Sequence, residues 1–386
     1  MKKKVLLFFG TRPEAIKMAP VALALRESPF FTPEIGLSGQ HKDLVDPILK
    51  FFGLKADFDL RISNHCENIE DPVATGLPQL CDILRTRNYD TIYVHGDTST
   101  TLLGSLTGFY TQTPVAHVEA GLRSHSMDNP FPEEMNRKLT ASLARYHFTA
   151  TRKASANLIS EGVDEASVFK TGNTVVDALR IGASKLIECR GAVHQIEQQL
   201  STLSREKPWI LLTIHRRENL NPTFIETVKN TLMLARTTGA TILFPMHPNP
   251  IVRELLSQVP MESELIKVLH PLDYPEMVWL YQKLSLIVTD SGGIQEEAAS
   301  FGIPTLVTRE VTERNETVAT GLTHLIGKNL SQILTEGQKR MRLPAEDRQL
   351  NHKTPYGDGY AAEKIRLIME WQLNQRLNLK TPMALY

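Results

Sequence analysis

Short apolar runs recur along the chain and alternate with segments whose apolar residues repeat at helical spacing. In the first half the runs are Val5–Phe9, Glu34–Leu37, Thr91–His95, Pro114–Val118, His147–Ala150 and Ser167–Thr171. Between them lie amphipathic segments such as Ala15–Arg26, Leu44–Phe52, Leu77–Arg87 and Pro132–Ala144. This alternation predicts a parallel sheet wrapped by helices on both faces. From Ile187 to Lys207 the chain turns polar, rich in Gln and Glu, without a strand signal. The pattern restarts at Trp209–Thr213, Thr241–Pro245, Ile266–Leu269, Leu286–Thr289 and Thr305–Thr308. The expected fold is therefore α/β, with two doubly wound Rossmann-like domains. We expect the first at residues 1–172, a connecting helical segment at 173–207 and the second at 208–359. Residues 360–386 form a C-terminal helix expected to pack back on the first domain. A chain of 386 residues exceeds the usual single-core size, which suits this division.

Composition narrows the picture. Hydrophobic residues make up 41% and charged residues 22%, an ordinary soluble balance. The formal net charge is zero, which argues against a nucleic-acid-binding surface. Cys66, Cys81 and Cys189 are scattered without a C-x-x-C pair, so neither a disulfide framework nor a zinc site is expected; they fit a reducing cytoplasm. The start, MKKKVLLFFGTRPE, imitates a secretory leader, but its apolar run is short and meets Arg-Pro-Glu at once. No stretch is long enough to cross a membrane.

The unusual polar residues cluster where predicted strands end, the place at which open α/β sheets bind ligands. Val5–Phe9 runs into Gly-Thr-Arg-Pro-Glu, supplying Arg12 and Lys17. Arg-Pro straight after a buried strand favours a fixed, forward-pointing cation, and a phosphate contact is expected over a plain surface turn. Thr91–His95 runs into Gly96-Asp97-Thr98, where Asp97 alone reads as an N-cap. Pro114–Val118 ends in Glu119, and a proline-bracketed loop leads to Glu133, Glu134 and Arg137. That stretch is either a solvated turn or a set of carboxylates facing a substrate. Trp209–Thr213 meets His215 in HRREN, a basic turn whose histidine suits a proton donor or a phosphate partner. His247 in HPNP reads more readily as a histidine satisfied within a turn. In TDSGGIQEEA, a strand, Ser291, Gly292 and Gly293 open a helix whose unpaired N–H groups suit a diphosphate, with Glu297 one turn in for ribose hydroxyls. A tight N-capped turn explains that motif equally well. No G-x-x-x-x-G-K-[ST] loop is present and no G-x-G-x-x-G follows the first strand, which disfavours P-loop hydrolysis and Rossmann redox chemistry.

Taken together, GTRPEAIKMAP, SGQH, VHGDTSTT, HVEAGLRS, NPFPEEMNR, TGNTVVDAL, TIHRREN, HPNP, TDSGGIQEEA and TERNE resemble the bacterial non-hydrolysing UDP-N-acetylglucosamine 2-epimerases. Each is weak alone, but in family order from Gly10 to Glu316 the set is specific. The resemblance implies a glycosyltransferase-B-like pair of Rossmann domains with the ligand cleft between them. It implies reversible conversion of UDP-GlcNAc to UDP-ManNAc without metal or other cofactor, in a cytoplasmic homodimer that supplies surface polysaccharide. Carried over by motif, the acid–base carboxylates fall on Asp97, Glu119 and Glu133, and the active-site histidine on His215. Nucleotide contacts fall on Arg12, Lys17, Ser291, Gly292, Gly293, Glu297 and Arg314. Glu134, Arg137 and His247 are candidates for support. Gln40 and His41 of SGQH mark a candidate activator site, although the region that binds a second UDP-GlcNAc in many members here reads DLRISNHCENIEDP. After Arg314 the family's usual proline is Asn315, and Glu310-Val311 replaces the commoner Asp-Thr, so a change in loop rigidity is expected.

Chemistry agrees with that resemblance. The sugar C2 proton is not next to a carbonyl, so the C1–O bond must break before a carboxylate removes it. The product is a glycal, to which UDP re-adds after protonation from the opposite face. Such a route needs cations and helix dipoles on the diphosphate and carboxylates able to serve as acid and base together. Alternatives are a hydrolysing epimerase that releases ManNAc and UDP, an epimerase of a diacetamido UDP-uronate, a GT-B glycosyltransferase and a non-catalytic nucleotide-sugar sensor. A glycosyltransferase would need an acceptor pocket in place of the carboxylates, and a sensor would tolerate their loss.

Overall fold

A computed structural model describes the chain except residues 1, 63–67, 189, 205, 217–218, 247–248, 260–263, 313, 342–353 and 377–386, and the side chains of 190, 374 and 376. The chain forms two compact units, Met1–Ala178 with Tyr356–Tyr386, and Leu179–Pro355. Both are Rossmann-like domains built on parallel sheets. The first division falls inside the helix Thr174–Glu188, not in a loop.

In the first domain the strands are β1 (Lys3–Phe9), β2 (Phe31–Leu37), β3 (Phe58–Asp59), β4 (Thr91–His95), β5 (Val115–Ala120), β6 (Tyr146–Thr149) and β7 (Val168–Lys170). They are ordered β3-β2-β1-β4-β5-β6-β7. The second domain repeats the plan with β8 (Trp209–Thr213), β9 (Thr241–Pro245), β10 (Ile266–Leu269), β11 (Leu286–Thr289), β12 (Thr305–Val307) and β13 (Thr323–Leu325). Their order is β10-β9-β8-β11-β12-β13. In each sheet the strand order reverses between the first strand and the fourth, the point at which such sheets take ligands.

The central strands are apolar because helices cover both faces. Leu6, Phe8, Ile92, Val94 and Val115 share one core with Leu80, Leu84 and Leu103 of the covering helices. Ile210, Leu212, Ile242, Phe244, Leu286 and Val288 anchor the other. Two strands escaped the sequence pattern: β3 and β13 are edge strands of two and three residues, too short to form an apolar run. The helix Asp71–Arg87 also starts before its predicted bound at Leu77, with a proline in its first turn.

The C-terminal helix Ala361–Arg376 belongs to the first domain. Asp177, buried in the helix Thr174–Glu188, accepts the N–H groups of Ala361 and Ala362 at 3.1 and 2.8 Å. Ser28 donates to Glu370 at 2.6 Å. Cys81 is a free, buried thiol, while Cys66 and Cys189 lie outside the described residues. Among the described residues no helix is long and apolar enough to cross a membrane.

Two features of β5 and β6 give direct tests. Gly121 has φ +83°, and a Cβ there would stand 2.2 Å from the Ala154 carbonyl oxygen. Gly121→Ala is expected to destabilise the protein by about 2 kcal/mol or more, read by chemical denaturation. His117 and His147 face each other in register and are buried. Burial pushes His117 down to about 3 and His147 down to about 4. In the unfolded chain these rings protonate near 6.5, so between those values the unfolded state binds more protons. Stability is therefore expected to fall as pH drops from about 6.5 through these lower values. His117→Gln should flatten that slope in melting curves recorded across the range.

Candidate active site

In the first domain the site residues lie at the carboxyl ends of β1, β4 and β5. Thr11 caps the helix Arg12–Glu27, and Pro13 sets its first turn. This places Arg12 at the helix start and Lys17 a turn further in, buried. Glu14, 2% exposed, shapes the loop. One of its oxygens accepts the N–H groups of Gly10 and Thr11, both at 2.8 Å, and the other accepts the Thr98 hydroxyl at 2.5 Å. The turns after β1 and β4 are thereby joined.

Glu119 lies within β5, not beyond its end as the apolar run suggests. The β5–β6 register slips between Val118 and Ala120, and Glu119 adopts φ +62° at the slip. A left-handed glutamate inside a strand costs about 1–3 kcal/mol and is characteristic of functional positions. Its Oε2 is the acceptor for Lys17 Nζ, and for Asn173 Nδ2 at 3.0 Å. His95 Nε2 stands 3.6 Å from the same oxygen. Lys17, expected on a phosphate, thus has its ammonium against a carboxylate.

Asp97 follows β4 through Gly96, whose carbonyl accepts from His117 Nε2 at 2.8 Å. Arg137 grips the Asp97 carboxylate through Nε at 2.9 Å and Nη2 at 2.6 Å, and Asn136 holds its backbone carbonyl at 2.9 Å. The same guanidinium donates to Glu134 at 2.8 Å. Glu134 also accepts the backbone N–H groups of Ser124 and His125, at 2.9 and 3.2 Å. Burial acts to raise the Glu134 carboxyl, but the Ser124 N–H and Arg137 outweigh it and hold it below the ordinary range. Glu134 and Arg137 therefore fix the loop and position Asp97. Glu133 opens the helix Glu133–Leu143, and its Oε2 is buried without a hydrogen-bond partner among the described residues. Gln40 and His41 line a pocket of about 550 Å³ with Lys42, Asp59 and Arg61. Gln40 is tied to Thr100 at 3.1 Å.

In the second domain Asp290, fully buried at the end of β11, does for the loop after β8 what Glu14 does in the first. It accepts the N–H groups of His215 and Arg216 at 3.1 and 2.9 Å and the Asn219 amide at 3.0 Å. His215 Nδ1 lies 3.2 Å from its other oxygen, while the ring is 40% exposed. Ser291 caps the helix Gly292–Ser300, with Gly292 and Gly293 as its first residues. Arg314 lies over this helix start: a Cβ on Gly292 would stand 3.1 Å from Nη1. Glu296 accepts from Arg314 Nε at 3.0 Å, and Glu297 accepts the Tyr281 hydroxyl at 2.5 Å. Asn315, in place of the expected proline, opens the short helix Asn315–Ala319. His247 lies outside the described residues. Among the described residues no group of three or more His, Cys, Asp or Glu could hold a metal ion.

Sequence reasoning passed over His95, Asn173, Glu14 and Asp290. Asn173 lies three residues beyond the end of β7 and His95 ends β4, the same strand-end signal that singled out Glu119. Glu14 and Asp290 looked like ordinary first-turn and capping acids.

Two Rossmann-like domains, each gathering polar side chains beyond the carboxyl ends of its central strands, define a GT-B-like α/β enzyme. The chain belongs to the UDP-N-acetylglucosamine 2-epimerase family, whose model matches residues 23–370. It is 39% identical over 378 residues to UDP-N-acetylglucosamine 2-epimerase of Escherichia coli K12, spanning 97% of this chain and 100% of that protein. It is similar to the crystal structure of the Neisseria meningitidis UDP-GlcNAc 2-epimerase bound to UDP-GlcNAc, with TM-score 0.85, 37% identity and 96% and 100% coverage. A Staphylococcus aureus co-structure with UDP matches at TM-score 0.85, 37% identity and 99% and 100% coverage.

Removing the buried Glu134 carboxylate would take one acceptor from Arg137, which keeps Asp97, and would leave the Ser124 and His125 N–H groups without theirs. Glu134→Ala is expected to cost about 3–5 kcal/mol in a denaturant titration.

Proposed function

We propose that the protein interconverts UDP-GlcNAc and UDP-ManNAc by elimination and re-addition of UDP. The observation that carries this reading is Glu119: a carboxylate held at φ +62° in a strand by Lys17 and Asn173. Family membership and the ligand named in the Neisseria structure support the choice of substrate.

In this reading the C1–O bond breaks first and its electron pair leaves with UDP. Glu119, Asp97 or Glu133 then removes the C2 proton, and the C2–H electrons form the C1=C2 bond of a 2-acetamidoglucal. A carboxylate on the opposite face returns a proton to C2, and UDP adds back to C1. The steps are redox-neutral, and the protons need only carboxylates. Arg137 holds the Asp97 carboxylate in place. Glu133, whose buried Oε2 has no hydrogen-bond partner among the described residues, is a candidate for the carboxylate on the other face. Ser291, Gly292 and Gly293 at a helix start, with Arg314 beside them, suit the diphosphate of the leaving group. Arg12, at a helix start of the first domain, is a further candidate for a phosphate contact, and Glu297 suits the ribose. His215, fixed by Asp290 and exposed on one side, suits a phosphate oxygen. We further propose that the enzyme works in the cytoplasm as a homodimer supplying surface polysaccharide, with Gln40 and His41 at an activator pocket.

Incubation with UDP-GlcNAc in D2O, without added metal or nicotinamide, is expected to give deuterium at C2 and a mixture with UDP-ManNAc by NMR. Release of free ManNAc would mark a hydrolysing enzyme, and absence of C2 exchange would sink the proposal. Glu119→Gln is expected to slow exchange by about 10²–10⁴-fold while UDP binding, read by calorimetry, persists.

A further inference from the structure

His95 is a buried titratable side chain beside Glu119 to which the proposed reaction gives no part. It closes β4 and pairs in register with Val118, the residue before Glu119. The residues before it in β4, Thr91 to Val94, serve the core, and the ring itself is 4% exposed. Among the described residues neither ring nitrogen has a hydrogen-bond partner. An unpartnered buried polar group costs about 1–3 kcal/mol, so an apolar residue would serve packing better. The charged atom facing the ring is Glu119 Oε2, 3.6 Å from Nε2. That separation is beyond a hydrogen bond, but catalytic hydrogen bonds often shorten to full strength only in the substrate complex.

The other groups around this carboxylate have settled partners. Lys17, from the helix Arg12–Glu27, donates to Oε2, and Asn173, after β7, donates to it at 3.0 Å. On β5 itself His117 commits Nε2 to the Gly96 carbonyl. Asp97, two residues beyond His95, is gripped by Arg137. Among the described residues around this carboxylate, His95 thus has donor capacity to spare.

We propose that His95 is a positioning residue for the C2 proton transfer, its Nε2–H donating to Glu119 Oε2 so that the carboxylate is oriented and kept ionised. The C2 proton passes to Glu119, and His95 keeps its own proton throughout. The inference rests on the epimerase reading of Glu119.

The test compares the full-length wild type with His95→Leu and His95→Gln, following C2 deuterium uptake from UDP-GlcNAc in D2O across pH. Loss of a donor lets a carboxylate keep its proton to higher pH. His95→Leu is therefore expected to lower kcat about 10–100-fold, leave KM within about twofold, and move the acid limb up by about one pH unit. Gln, which can place an amide N–H where Nε2 stands, should restore most of the rate and the original limb. Should His95→Leu not fold, the side-chain ¹⁵N signals of His95 are compared between wild type and Glu119→Gln. A changed signal supports the coupling and an unchanged one overturns it. A folded His95→Leu enzyme with the wild-type acid limb overturns the inference alone. No exchange by the wild type overturns the epimerase reading and this inference with it.

Discussion

Loops that leave parallel strands carry backbone N–H groups without ladder partners, and in each domain a buried carboxylate accepts them. Glu14 takes the amides of Gly10 and Thr11 and reaches the Thr98 hydroxyl, so the ends of β1 and β4 are set by one side chain. Asp290 takes the amides of His215 and Arg216 together with the Asn219 side chain. Burying a carboxylate is costly unless several donors surround it. Once they do, each charge-assisted bond contributes about 1.5–3 kcal/mol. Arg12, Lys17, Asp97 and His215 are all placed by loops built in this way. Loss of either acceptor would disturb the loops that carry these candidate site residues.

Around Glu119 the expenditure is conformational. The left-handed backbone interrupts the β5 ladder, and pairing resumes at Ala120 opposite Thr149. The same residue in ordinary extended geometry would keep the ladder regular and turn its side chain elsewhere. Lys17 and Asn173 offset part of the strain by meeting the carboxylate where the slip presents it. A few residues away, Arg137 spans Asp97 and Glu134, so one guanidinium couples a proposed acid–base group to the loop 122–132. The two carboxylates that open the helix Glu133–Leu143 consequently differ in kind. Glu134 is committed to structure, whereas Glu133 retains a buried oxygen without a hydrogen bond among the described residues.

Much of this was legible because buried parallel strands must be apolar while the residues that leave them need not be. The apolar runs located the central strands, and the polar residues after them located Arg12, Asp97, His215 and Ser291. Glu119 was identified as unusual, but its place inside β5 was not, since a single-residue slip leaves hydrophobicity unchanged. The edge strands β3 and β13 have too few residues to carry a pattern. Lys17 shows a deeper limit: a lysine one turn into a helix suits a phosphate or a carboxylate equally, and only the fold reveals which lies beside it. His95 was hidden for a similar reason, because a strand-ending histidine is ordinary until its missing hydrogen bonds are counted.

The first domain is assembled from both ends of the polypeptide, with Tyr356–Tyr386 joined to Met1–Ala178. Ser28 meets Glu370, 342 positions further along the chain, and Asp177 caps a helix that begins at Ala361. Leu179–Pro355, by contrast, is contiguous. During synthesis the second domain can therefore complete its core while the first still awaits its final helix. Closing so long a loop slows folding more than it weakens the folded state. The carboxylate-bearing half of the enzyme is consequently the last to mature, and a nascent chain can hold a finished second domain before Asp177 has its helix to cap.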